Sequence, residues 1–147
     1  MNPVDRYDSL LQHYGAKSGV PWKLLKRQMI AESSGNPAAV SPAGARGLMQ
    51  FMPATWQQYD TPDGIPALDD PHNPEAAIAA AARYMRALFD QFREIPDPKE
   101  RWRFALAAYN AGPGHINRML ALAREACGQP ASYAEWVRAG QPKGPWQ

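Results

Sequence analysis

The chain is short of several things that would direct a first guess. It has a single cysteine, Cys127, so no disulfide can form within the chain. It has no long apolar run: the longest small-apolar stretch, Ala76 to Ala82, is far below the roughly 20 residues of a membrane-spanning helix. The first eight residues carry Asp5, Arg6 and Asp8 and no apolar core, so no secretory signal peptide is expected there. No excess of one charge is present: 16 Lys and Arg against 14 Asp and Glu leave +2, too little to indicate a nucleic-acid partner. The histidines His13, His72 and His115 are scattered and the thiol is alone, so no metal site is expected. Gly112 and Gly114 follow no strand and precede no Gly-Lys-Ser/Thr, so no nucleotide loop is expected and no cofactor is called for. No alternating strand pattern and no internal repeat is found.

What is abundant is proline. The 15 prolines of 147 residues are twice the usual share of about 5%, yet 10% aromatic residues argue against disorder. Asn2-Pro3, Asn73-Pro74 and Asp97-Pro98 each place a capping residue before a proline that suits the first helical position. Pro21 and Pro53 also precede helical patterns.

The spacing of apolar residues predicts a helix from about Pro3 to Lys17 (Val4, Tyr7, Leu11, Tyr14), closed by Gly19. A second runs from about Pro21 to Ser33, with Trp22, Leu25 and Met29 as its apolar stripe. Glu32 continues that stripe at the helix C-terminus, where burial and the helix dipole both oppose a negative charge. Ser34 to Gly44 is predicted as a loop, Ala45–Met49 and Pro53–Tyr59 as two short helices, and Thr61 to Asn73 as a long loop. Pro74 to Arg93 is predicted as a long helix with Ile78, Ala82, Met85, Phe89 and Phe92 on one face. Pro98 to Asn110 follows, with Trp102, Leu106 and Tyr109 on one face. Gly112-Pro113-Gly114 breaks it; a sixth helix runs from about Gly114 to Cys127. Ser132 and Glu135 form a capping box for a last short helix. The expectation is an all-α, single domain of about seven helices spanning 1–147.

Three clusters carry chemistry: Glu32-Ser33; Ser41 through Gly47-Leu48-Met49-Gln50 to Thr55; and Ala108-Tyr109-Asn110-Ala111-Gly112-Pro113-Gly114. On these motifs, in this order, residues 20 to 120 resemble the soluble lytic transglycosylases, a lysozyme-like superfamily that cleaves peptidoglycan. Glycoside cleavage needs a carboxylic acid still protonated near neutral pH, and Glu32 sits where its pKa would rise. The resemblance implies that Glu32 is the catalytic acid. It implies that Ser41 hydrogen-bonds at the site and that Met49 and Gln50 line the cleft. Tyr109 would reach toward the acid and Asn110 would contact substrate or fix its loop. Four of them have a plainer alternative: a helix-end acid for Glu32, a turn serine for Ser41, and core packing for Met49 and Tyr109. Gly44 and Gly47 suit close backbone approach. Arg46 receives no role. Trp56 and Tyr59 are both candidate sugar platforms, with core packing preferred for Trp56.

Hydrolysing lysozymes commonly use two carboxylates. Asp60, Asp63, Asp69 and Asp70 share one loop, and no motif pairs any of them with Glu32. A lone glutamate suits the transglycosylase route, which ends in a 1,6-anhydro-N-acetylmuramic acid product. A muramidase of the same superfamily, with a loop acid placing the water, is the alternative. So is a mainly structural part of a phage tail or secretion machine, since a leaderless domain made in the cytoplasm suits a phage virion protein, a phage endolysin or a component injected through a machine. The expected partners are peptidoglycan glycan strands, with phage tail or secretion-machine proteins as carriers. The family pattern usually continues with a Glu-Thr…Tyr-Val segment near the position of Gly144, so a longer natural chain is expected.

Overall fold

The computed structural model describes residues 2–59, 69–93 and 95–111. The chain divides into two compact units, Met1–Arg86 and Ala87–Gln147, with the longest helix running across the division. The elements are a 3-10 turn, Pro3–Tyr7, and five α-helices: α1 Asp8–Ser18, α2 Trp22–Ser33, α3 Pro53–Tyr59, α4 Pro74–Gln91 and α5 Pro98–Ala111. The described residues are therefore all-α, apart from two isolated bridges. The predicted sixth helix, the capping box at Ser132, Cys127, Asp60, Asp63 and most of the Thr61–Asn73 loop lie outside the described residues.

All three proline starts work as the sequence implies. The Asn2 side chain accepts from Val4 N–H at 3.2 Å, Asn73 from Ala76 N–H at 3.0 Å, and Asp97 from Lys99 N–H at 3.0 Å. In each case a side-chain oxygen satisfies an amide that the first helical turn leaves unpaired. Gly19 closes α1 in the left-handed conformation, φ 70°, as a helix-ending glycine does.

In the first unit α4 is held by several other elements. The Tyr14 hydroxyl of α1 donates to Glu75 at 2.6 Å. The Arg83 guanidinium donates to the Tyr59 carbonyl at the end of α3. Tyr84 packs against Phe51 and Tyr59, with ring centroids 6.2 and 4.9 Å away. Burial pushes the Tyr84 hydroxyl up to about 12, helped by neighbouring Tyr59. Tyr59, expected to offer a sugar platform, thus spends one ring face on the core. The run Ala76–Ala82 is buried throughout: small side chains let neighbouring elements approach the helix closely.

Among its described residues, the second unit packs aromatic rings together. Phe89 and Trp102 lie 4.0 Å apart, Phe92 and Phe104 5.7 Å. The Arg101 guanidinium sits 3.9 Å from the Phe89 centroid and donates to the Phe89 carbonyl at 2.9 Å. The predicted α5 stripe needs adjustment. Trp102, Leu106 and Tyr109 are only half-buried, while Phe104, Ala105 and Ala108 are buried. The buried face of α5 therefore runs through Phe104, Ala105 and Ala108.

The Ala45–Met49 prediction fails. This segment is a compact turn. Val40 pairs with Arg46 and Arg46 with Phe51 in isolated antiparallel bridges. Within the segment Gly47 takes a left-handed φ of 81°, which no right-handed helix interior accommodates, and Gly44 at 94° and Gln50 at 53° flank it. Gly47 is also a point of contact: a Cβ there would lie 1.8 Å from the Pro71 carbonyl oxygen. Gly47→Ala therefore combines backbone strain with a clash against main chain. It should lower stability by about 3 kcal/mol or more, read as a fall in the thermal unfolding midpoint against Gly44→Ala, where nothing lies within 4 Å.

Candidate active site

Helix α2 presents Leu25, Gln28 and Met29 to the interior. Continuing the same stripe, Glu32 arrives half-buried one residue before the helix ends. Ser34 follows in the left-handed conformation, φ 55°, its N–H returning to the Ile30 carbonyl. The Gln28 amide, one turn back, donates to Glu32 Oε1 at 2.9 Å. Burial pushes the Glu32 carboxyl up to about 7, against the opposing pull of the Gln28 hydrogen bond, which favours the ionised form. A carboxyl half-protonated near neutral pH can give a proton and take one back, which is what acid–base catalysis requires of one group.

Ser33 ties this helix end to the turn. Its hydroxyl donates to the Leu48 carbonyl at 2.7 Å, with the Met29 carbonyl at a longer 3.3 Å, and accepts from Gly35 N–H at 3.2 Å. The turn is braced from within. Ser41 Oγ accepts from Ala45 N–H at 3.0 Å, and Gly47 N–H donates to the Ala39 carbonyl at 2.9 Å. The Gln50 amide donates to the Ala39 and Gly47 carbonyls at 3.2 and 2.9 Å. Both partners are carbonyl oxygens, so the amide orientation is unambiguous.

The predicted site residues fall as follows. Glu32 has the buried, raised-pKa setting the sequence suggested. Ser41 is half-buried and serves its own turn, as the plainer reading had it. Met49 is buried, with 0% exposure, and packs in the core. Gln50 spends both amide hydrogens on main chain, leaving its carbonyl oxygen for any other partner. Tyr109, half-buried, and Asn110, exposed, stand at the end of α5 in the second unit. Trp56 is in the core as expected, its indole N–H donating to Asp69 at 3.0 Å. Asp70 accepts from His72 N–H at 2.9 Å. Both described loop acids thus have structural work. Among the described residues, no three His, Cys, Asp or Glu side chains cluster to hold a metal ion. Gln28 was missed by sequence reasoning. The available signal was its position four residues before Glu32, which puts both on one helix face.

Fold and site together define an all-α domain with a half-buried glutamate whose carboxyl is pushed up to about 7. Residues 9–130 match the Transglycosylase SLT domain model, and the chain belongs to that family. It is 37% identical over 130 residues to membrane-bound lytic murein transglycosylase F of Marinobacter nauticus, covering 88% of this chain and 24% of that protein. The Yersinia pestis protein of the same name is 36% identical over 135 residues, 91% of this chain and 26% of that one. The chain spans about a quarter of the length of the curated relatives it matches. Among solved structures, an inactive Glu→Gln mutant of lytic transglycosylase Slt from Pseudomonas aeruginosa matches with TM-score 0.73 at 25% identity, over 92% of this chain and 20% of that one. Among the described residues, no helix is long and apolar enough to cross a membrane.

The Gln28–Glu32 contact yields a prediction with a definite sign. Gln28→Leu removes a donor that favours the carboxylate, so the Glu32 titration midpoint should move upward from about 7. Carboxyl ¹³C chemical shifts across pH would read this directly.

Proposed function

We propose that this domain cleaves the β-1,4 bond between N-acetylmuramic acid and N-acetylglucosamine in peptidoglycan, by the transglycosylase route. The observation that carries the reading is the half-buried Glu32 with its carboxyl lifted to about 7. Support comes from the relatives, named as lytic murein transglycosylases, and from the Slt match, whose inactive form is a Glu→Gln change.

In the first step Glu32 gives its proton to the glycosidic oxygen and the C1–O4 bond breaks, releasing the N-acetylglucosamine side with a free hydroxyl. Glu32, now ionised, takes the proton of the C6 hydroxyl of the same muramic acid residue. That oxygen bonds to C1 and closes the 1,6-anhydro ring. One proton leaves Glu32 and one returns, no water is consumed, and the nucleophile is part of the substrate, which gains from proximity. No second carboxylate is needed, in keeping with the structural duties of Asp69 and Asp70. Ser41, Gln50, Tyr109 and Asn110 are proposed to bind the sugar chain, Gln50 through its remaining carbonyl oxygen. Met49 is proposed to shape the cleft from behind.

Glu32→Gln should reduce lysis of purified peptidoglycan by at least the roughly 10²–10⁴-fold that acid–base assistance supplies. Products of the unaltered protein should carry anhydro ends, one water lighter than reducing ends by mass spectrometry. Reducing ends alone would replace this reading with the muramidase one. Activity should fall as pH rises above about 7, where Glu32 loses the proton the first step needs. The phage or secretion-machine setting is tested by seeking the chain in purified particles.

The same substitution has a stability signature. The folded pKa of about 7 lies above the ordinary 4.5, so the unfolded chain ionises first and stability falls as pH rises from about 4.5 to 7. Glutamine has no such penalty. Glu32→Gln should therefore raise the melting temperature at pH 8 and leave it unchanged at pH 4. An inactive variant that melts higher has lost chemistry and kept its fold.

A further inference from the structure

Beside the braced turn lies a cavity of about 190 Å³, lined by Arg46, Phe51, Pro53, Trp56, Gln57 and Pro71. Its walls are stiff. Arg46 and Phe51 exchange both main-chain hydrogen bonds, each at 3.0 Å. Phe51 and Trp56 meet edge to face at 5.3 Å. Trp56 is anchored by Asp69, and Pro71 is pressed against Gly47. The cavity therefore needs little ordering before it accepts a ligand, which lowers the cost of binding.

Its polar equipment is specific. The Arg46 side chain is exposed, and among the described residues it has no hydrogen-bond or ion-pair partner. This sets it apart from Arg83, Arg101 and Arg103, each committed to a carbonyl or a carboxylate. Asp69 accepts the Trp56 indole N–H on its Oδ1. Exposed Gln57 adds an amide at the rim. An uncommitted guanidinium with an amide beside it, over aromatic and proline walls, suits a carboxylate carried on a short apolar stem.

We infer that this cavity holds a carboxylate-bearing residue of the peptide attached to the glycan strand, with Arg46 as the anion receptor. The inference rests on the peptidoglycan reading above and deepens it: the domain would read the peptide as well as the sugars.

The test compares two substrates: glycan strands with their peptides, and strands stripped by an amidase, which keep only the lactyl carboxylate. On peptide-bearing strands, Arg46→Ala should lower kcat/KM about tenfold or more, through KM, with kcat little changed. On stripped strands it should stay within about twofold of the unaltered protein. Arg46→Lys should recover part of the loss, and Arg46→Glu should deepen it. An equal loss on both strands, or none on either, overturns the inference. If the unaltered protein cleaves neither strand, the reading of the function fails separately. Calorimetric titration of the free stem tetrapeptide into Glu32→Gln protein then decides the cavity alone, with Arg46→Ala in the same background expected to weaken binding about tenfold. No heat of binding, or heat unchanged by Arg46→Ala, overturns it.

Discussion

The hydrogen bond from Ser33 to the Leu48 carbonyl joins the two parts of the first unit that the candidate site needs. At 2.7 Å it is the shorter of the two carbonyl contacts the hydroxyl makes. It fastens the last residue of α2 to the middle of the turn that Ser41, Gly47 and Gln50 brace from within. Glu32 is the neighbour of that anchor, so the bond restrains the Glu32 backbone relative to the turn. The reciprocal contact from Gly35 N–H fixes the chain on the exit side too. A helix end normally frays; here the Ser33 hydroxyl, tied in both directions, adds to the Ser34 N–H bond to the Ile30 carbonyl.

Held there, Glu32 is balanced between opposing influences. Burial and the negative end of the helix dipole favour the neutral acid. The Gln28 amide favours the carboxylate. Complete burial without the amide would hold the proton too firmly to release it, and full exposure would leave no proton to give at neutral pH. The proposed reaction uses the group in both forms in succession, so a pKa near 7 lets neither step become prohibitively uphill.

How much of this the sequence conveys depends on the kind of signal. Helix α4 was legible because Ile78, Ala82 and Met85 repeat at helical spacing and Asn73-Pro74 marks the start; its C-terminal boundary came out at Gln91, two residues early. The burial of Glu32 was legible because it continues the stripe of Leu25 and Met29. The turn at 45–51 was misread because Gly-Leu-Met-Gln is locally compatible with a helix. What overrules it is tertiary: the Pro71 carbonyl occupies the space beside Gly47, and Ser33 claims the Leu48 carbonyl. Gln28 was overlooked for a similar reason. A glutamine on a helix is ordinarily solvated, and only the packed structure shows it 3% exposed and aimed at Glu32.

Gln50 shows why residues of one short motif resist sorting into structural and functional. Its φ of 53° is strained for a side chain with a Cβ, and its amide offsets that strain by bonding the Ala39 and Gly47 carbonyls. Those carbonyls belong to the turn that carries Arg46 and is tied by Ser33 to the helix end bearing Glu32. A substitution at Gln50 would remove a brace and a proposed sugar contact together, so lost activity alone could not distinguish them. Arg46 stands on the same turn, yet its side chain supports nothing in it. Its substitution can therefore separate recognition from architecture, where substitution at Gln50 cannot.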